Sequence, residues 1–349
     1  MPELPEVETV VRELNRKLKN KTIKSVEVLL PKIVSLGPGT VSPKRQVSSS
    51  KVSKFIRLLK GQKIRLVARR AKLLIFDFYR GTRAPNLTRS SGTLSQVGEG
   101  VGERQVNQNT ELTTLRQMGV KIDGSLAMLV HLKMTGQFIY LKKTQLNKKI
   151  RILNKANASL LLMPCKYTHV IFSFTDGSKL FFNDLRQFGY LKLVADSELD
   201  CVKELKDFGY EPLDKSFTLE KYLEIVKTRP NGKIKQVLMD PKLVAGIGNI
   251  YSDEILFHAG VRPGRKVSSL KHQVLGMIFN EIKRVLRKGI ETKGSSVGDF
   301  IRTDGSWGRM GKYHYVYGRA GQECKKCGTI VKSEKFNGRT GSFCPSCQV

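Results

Sequence analysis

Four cysteines near the end of the chain, Cys324-x2-Cys327-x16-Cys344-x2-Cys347, limit the folds open to it more than any other feature. Each CxxC pair fits on a short turn, and two such turns can place four thiolates at the corners of a tetrahedron. The spacing predicts one zinc ion. Because all four positions are protein ligands, the site is structural rather than catalytic. Between the pairs lie Lys332, Lys335, Phe336, Arg339 and Phe343. A two-stranded zinc hairpin bearing an exposed arginine suits insertion into a DNA groove. Cys165 and Cys201 stand apart and read as core or surface thiols. Metal-type spacing, rather than a disulfide framework, indicates a reducing compartment.

The remaining 300 or so positions have to be organised around that module. A chain of 349 residues is long enough for two or three domains with real cores. Its 62 Lys and Arg against 30 Asp and Glu leave a formal charge of +32, which favours a polyanionic partner. Charge alone does not separate DNA from an RNA assembly. No run of about 18 apolar residues occurs, and the acidic N-terminus lacks an apolar signal core, so neither a membrane span nor a leader is expected. A cytoplasmic, nucleoid-associated monomer is the expectation.

Apolar spacing changes along the chain. Val7, Val10, Val11, Leu14 and Leu18 fall on one face of a helix beginning near Pro5. Residues 63–79, 126–141 and 168–194 are rich in Val, Ile, Leu and Phe, with Asp176-Gly177 as a hairpin turn. They predict an antiparallel sandwich or barrel-like domain. From about Ser216 the pattern turns helical, over 219–226, 233–240, 249–258 and 268–291. The predicted fold is α+β: an N-terminal β-sandwich domain over 1–195, a linker over 196–215, a helical domain over 216–312 and a zinc finger over 313–349. Three polar or basic stretches, near 36–51, 80–121 and 145–158, read as insertions, the second a long solvated loop.

Two local patterns carry chemistry. The chain opens Met1-Pro2-Glu3-Leu4-Pro5-Glu6. Removal of Met1 would leave Pro2 as a free secondary amine, which can attack an aldehyde-like carbon and hold it as an iminium. The plainer reading is a helix start, with Pro5 in the first turn and the glutamates complementing the dipole. The second pattern is the glycine turn Leu243–Tyr251, with Gly246 and Gly248, and Lys235 fourteen residues before Asn249. A lysine and an asparagine flanking a helix–turn–helix can clamp phosphate, and turn N–H groups can assist.

PELPE at the start, ARRAKLLIF, HLKMTG, DLRQFG, KQVLMDPKLVAGIGNIYSDEILFHAGVRP, VYGR and the terminal CxxC pairs stand in one order. In that order they resemble the formamidopyrimidine-DNA glycosylases, bacterial base-excision repair enzymes, over the whole chain apart from the insertions. Endonuclease VIII-type relatives usually begin PEGPE, so Leu4 favours the formamidopyrimidine branch. The resemblance implies a helix–two-turn–helix domain and a bifunctional DNA glycosylase/AP lyase acting on oxidised purines in duplex DNA. It implies Pro2 as the nucleophile at C1′, Glu3 as its acidic partner, Glu6 as a supporting acid, and Lys72 as the hairpin lysine near the reaction centre. Met134, Arg186 and Phe188 match the side chains that fill the gap left by an everted base. His131 resembles a phosphate contact, and Lys235, Asn249 and Arg339 match a phosphate clamp. Residues 303–313, with Trp307, match a loop that closes over the everted base. Leu185, Gln187 and Trp307 depart from residues common in the family. A DNA-binding member without catalysis and a zinc-containing RNA-binding protein are the rival classes.

Overall fold

The computed structural model describes residues 1–42, 46–80, 126–147, 149–151, 160–336 and 338–349. Helix α1 (Leu4–Leu18) begins with Pro5 in its first turn, where a missing N–H costs nothing. The Glu6 side chain accepts the Glu3 N–H at 2.9 Å, one arm of a capping box. The stripe from Val7 to Leu18 is buried in the core of the β domain, whereas Leu4 is buried in the core of the helical domain. One helix therefore joins both cores, and the residues just before it are fixed at their junction.

The first domain contains β1 (Ile23–Val28), β2 (Val34–Leu36), α2 (Ser49–Leu59), β3 (Lys63–Arg70), β4 (Leu73–Tyr79), β5 (Leu126–His131), β6 (Gly136–Leu141), β7 (Ile150–Arg151), β8 (Leu160–Leu161), β9 (Thr168–Phe174), β10 (Lys179–Asp184) and β11 (Tyr190–Ala195). Two sheets form, ordered β1-β9-β10-β6 and β2-β11-β5-β4-β3. Their facing side chains share one core, in which the Phe138 ring meets Phe182 at 5.3 Å and Phe76 at 5.6 Å, edge to face. The sandwich is antiparallel except at one edge, where β2 runs parallel to β11. The polar stretch near 36–51 leads from the end of β2 into α2, a helix the composition did not announce. The stretch near 80–121 lies outside the described residues apart from Arg80, and that near 145–158 is described in part.

The second domain holds α3 (Lys203–Lys206), α4 (Leu219–Lys227), α5 (Ile234–Met239), α6 (Asn249–His258) and α7 (His272–Glu291), followed by the hairpin β12 (Lys332–Phe336) and β13 (Arg339–Phe343). Helix α6 is buried from Ile250 to Phe257, with no polar face, because α5, α7 and β13 surround it. Three consecutive polar residues, Ser252, Asp253 and Glu254, are enclosed with it. Each has a partner. Glu254 accepts the N–H groups of Tyr315, Val316 and Tyr317 at 2.9, 3.0 and 2.9 Å, and Asp253 accepts Ser342 N–H at 3.0 Å. These acids dock the C-terminal segment on the helical domain.

Candidate active site and phosphate clamp

The glycine turn before α6 is built around the N-terminus of the chain. Gly246 has φ +93°, a backbone region that favours glycine, and a Cβ there would meet Leu4 at 2.9 Å. Its carbonyl accepts Leu4 N–H at 3.0 Å. A Cβ on Gly248 would overlap the Glu3 carboxylate. That carboxylate accepts the N–H groups of Ile250 and Tyr251, at 2.8 and 3.4 Å, at the start of α6. The turn therefore gives its free helix N–H groups to Glu3 rather than to a phosphate. Pro2, next in the chain, is buried.

Lys72 reaches the same place from the other side. It sits in the two-residue turn between β3 and β4, where Ala71 has φ +54°. Glu211 supports the turn: it accepts the Ala71 N–H and pairs with Arg69 at 2.8 Å and Arg70 at 3.3 Å. Lys72 Nζ donates to the Ile247 carbonyl at 3.0 Å, closing the junction. Burial lowers its pKa, Glu3 opposes that shift, and Arg339 adds to it. Both groups therefore lie within electrostatic reach.

Glu6 is enclosed beneath Glu3. It receives the Tyr251 hydroxyl at 2.7 Å and the Ser295 N–H at 2.7 Å as well as Glu3 N–H. Burial first, and the neighbouring Glu3 second, raise its pKa to about 7, against the pull of those three donors. It is a buried, three-donor acceptor rather than a solvated helix-start charge.

The residues expected to form a clamp gather around Lys235. Lys235 is buried, its ammonium paired with Asp253 and bonded to Ser252 Oγ at 3.0 Å and the Asn249 carbonyl at 3.4 Å. Asn249 Oδ1 is buried with no hydrogen-bond partner among the described residues. Arg339, at the start of β13, is exposed and influences both Lys235 and Lys72. His131 Nδ1 accepts Lys133 N–H at 2.9 Å, leaving Nε2 as the donor of a neutral ring. Burial, then Lys133 and Lys72, press its pKa down to about 3.

Met134, Leu185 and Phe188 are 37, 40 and 42% exposed, so they do not serve as core. Arg186 donates to Met134 Sδ at 3.0 Å and lies 5.0 Å from the Phe188 ring centre. The buried Asp184 carboxylate shapes both loops: it accepts Thr135 Oγ1, Arg186 N–H at 3.2 Å and Gly189 N–H at 2.7 Å. Trp307 is half-buried against the cluster of Ile139, Leu141 and Ile301 rather than freely exposed. Its loop is fastened to α1, where Glu13 accepts Arg302 Nε at 2.6 Å and Thr303 Oγ1 at 2.7 Å.

At the C-terminus the four cysteine sulfurs lie within 4.8 Å of one another, with Cys324–Cys347 at 3.9 Å and Cys327–Cys344 at 3.5 Å. Zinc–sulfur bonds of about 2.3 Å in a tetrahedron require sulfur separations of about 3.8 Å, so the quartet fits one structural zinc ion.

Asp184, Glu211, Tyr251, Asp253 and Glu254 carry no motif that marks them in the sequence. The only available signal was Ser252-Asp253-Glu254 inside an otherwise apolar helix.

Family models match in chain order. Those described as the formamidopyrimidine-DNA glycosylase N-terminal domain and H2TH domain cover residues 1–191 and 208–300. One described as a zinc finger found in FPG and IleRS covers residues 321–349. The formamidopyrimidine-DNA glycosylase of Pelotomaculum thermopropionicum is 32% identical over 348 residues, covering 100% of this chain and 99% of that one. The Lactococcus lactis enzyme bound to Fapy-dG-containing DNA superimposes with a TM-score of 0.70 at 26% identity, covering 99% of each chain. The same enzyme with abasic-site DNA gives a TM-score of 0.71, at the same identity and coverage.

Proposed function

The chain belongs to the formamidopyrimidine-DNA glycosylase family, and on that premise we propose that Pro2 is its nucleophile toward oxidised purines in duplex DNA. It is a zinc-finger DNA glycosylase acting on damaged DNA. The observation that carries the finer reading is the fixing of Glu3 on the first N–H groups of α6, with Lys72 bonded to the same turn. These bonds support the reading: Glu3 and Lys72 both fasten to the turn before α6, and Pro2 is the residue next to Glu3, where a nucleotide rotated out of the duplex would meet it.

With Met1 removed, the Pro2 nitrogen attacks C1′, a nitrogen–carbon bond forms, and the base leaves with the electrons of the glycosidic bond. Glu3 takes the proton that the amine sheds on bonding to C1′ and passes it to the ring oxygen as the C1′–O4′ bond breaks, producing an iminium. Loss of a C2′ proton expels the 3′ oxygen as phosphate. A second elimination expels the 5′ oxygen and leaves a one-nucleotide gap with phosphate ends. Lys72 holds phosphate and assists proton transfer. Met134 and Phe188 wedge the stack open while Arg186 addresses the orphaned cytosine. Their exposure, with the arginine already laid over the phenylalanine ring, supports that role.

Duplexes carrying 8-oxoguanine opposite cytosine, thymine glycol, or no lesion separate the readings. Cleavage of the 8-oxoguanine strand to phosphate-terminated ends, with little action on thymine glycol, is the expected result. The reverse preference would place the chain with enzymes of oxidised pyrimidines, and binding without cleavage would make it a non-catalytic DNA-binding member.

A further inference from the structure

Asp253, which docks the C-terminal segment, has no part in the chemistry above, yet it sits at the joint between Lys235 and the strand carrying Arg339. One oxygen of its carboxylate pairs with Lys235 and the other accepts Ser342 N–H at 3.0 Å. Both side chains are 1% exposed. Ser342 lies on β13, three residues after Arg339. The hairpin also packs directly on the lysine stem, since a Cβ on Gly341 would meet Lys235 Cδ at 3.1 Å. One carboxylate thus ties together Lys235, from the helical domain, and the strand that carries Arg339, from the zinc hairpin.

We propose that Asp253 is the positioning residue of the phosphate clamp, setting Lys235 and Arg339 in register across the joint between α5, α6 and the zinc hairpin. The inference rests on the reading of Lys235 and Arg339 as phosphate ligands. Two physical consequences follow from the contacts. A buried ammonium without a counter-charge tends to give up its proton, and burial already lowers the pKa of Lys235 while Asp253 opposes the shift. Asp253 therefore keeps charged a lysine that can attract phosphate. A hairpin held at Ser342 by a side chain of α6 also moves with the helix whose first residue is Asn249, so the three clamp residues share one frame.

The test is the salt dependence of binding to a duplex with a stable abasic-site analogue, for wild type, Asp253→Asn, Lys235→Met and the double variant, with zinc content measured for each. Asparagine can still accept Ser342 N–H, so zinc is expected to remain bound. Asp253→Asn should weaken binding several-fold and flatten the plot of log affinity against log salt by about 1, the loss of one phosphate contact. In the Lys235→Met background it should cost little more. If Lys235→Met binds as wild type does, the clamp reading itself fails. If Lys235→Met is weakened but Asp253→Asn has full affinity, tighter affinity, or an additive effect in the double variant, the clamp stands and the positioning role of Asp253 is overturned.

Discussion

At the residue scale the site depends on two adjacent carboxyls in different surroundings. Glu3 accepts helix N–H groups at the start of α6, while Glu6 is sealed beneath it. The pKa of Glu6 rises from 4.5 to about 7, so the folded protein binds its proton more tightly than the unfolded chain does. Stability from this group is therefore fully present below about pH 4.5 and falls away as pH rises toward 7. The shift corresponds to roughly 3 kcal/mol. Glu6→Gln, which cannot ionise, should show a smaller fall in denaturant-measured stability than wild type between pH 4.5 and 7. Parallel curves across that window would place the titration elsewhere. The opening motif points to Pro2 and Glu3 as candidates, and Lys72 stands out only through the family resemblance. The environment of Glu6 was not legible, because its partners Tyr251 and Ser295 lie more than two hundred residues away.

At the scale of elements, the most readable pieces were those with one dominant local constraint. The cysteine pairs, the Asp176-Gly177 turn and helix α6 fall where spacing and turn chemistry put them. Strand β1 and helix α2 carry weaker patterns, with lysines and serines among short apolar runs, and take their form from packing on the β core. The parallel β2–β11 pairing was equally invisible, since three residues cannot announce a direction. Met134 and Phe188 are exposed, in loops whose backbone is shaped by the hydrogen bonds of Asp184. Replacing both by alanine should lower affinity for lesion-bearing DNA while changing stability by no more than about 0.5 kcal/mol, as exposed positions allow. A large drop in the melting temperature would show that they are core after all. In the zinc hairpin, Cys324→Ala should release the metal, unfold β12 and β13 and weaken DNA binding with it. Undiminished affinity in a zinc-free variant would separate the hairpin from the DNA interface.

At the scale of the whole molecule, the chain carries an excess of 32 positive charges, and three of its parts meet at one joint. Helix α1 lends Leu4 to one core and Val7 through Leu18 to the other. The β3–β4 hairpin brings Lys72, and α6 supplies the platform for Glu3 and, through Asp253 and Glu254, for the zinc module. No helix among the described residues is long and apolar enough to cross a membrane. Phosphate contacts release counterions, so DNA affinity should fall linearly on a log–log plot with salt, at a slope of about 0.9 per phosphate held. A flat profile would contradict the polyanion reading of the charge. An N-terminal tag that prevents exposure of Pro2 should leave this binding largely intact while abolishing strand cleavage.

The claim on which the rest depends is that the secondary amine of Pro2 forms the covalent bond. Borohydride reduction of the protein with abasic-site DNA, followed by digestion and mass spectrometry of the conjugate, reads that bond directly. The expected result is the sugar remnant on the nitrogen of Pro2 in chains lacking Met1, and no conjugate from Pro2→Gly beyond a small residue of primary-amine trapping. A remnant on Lys72 or another lysine, or equal trapping by chains that retain Met1, would contradict it.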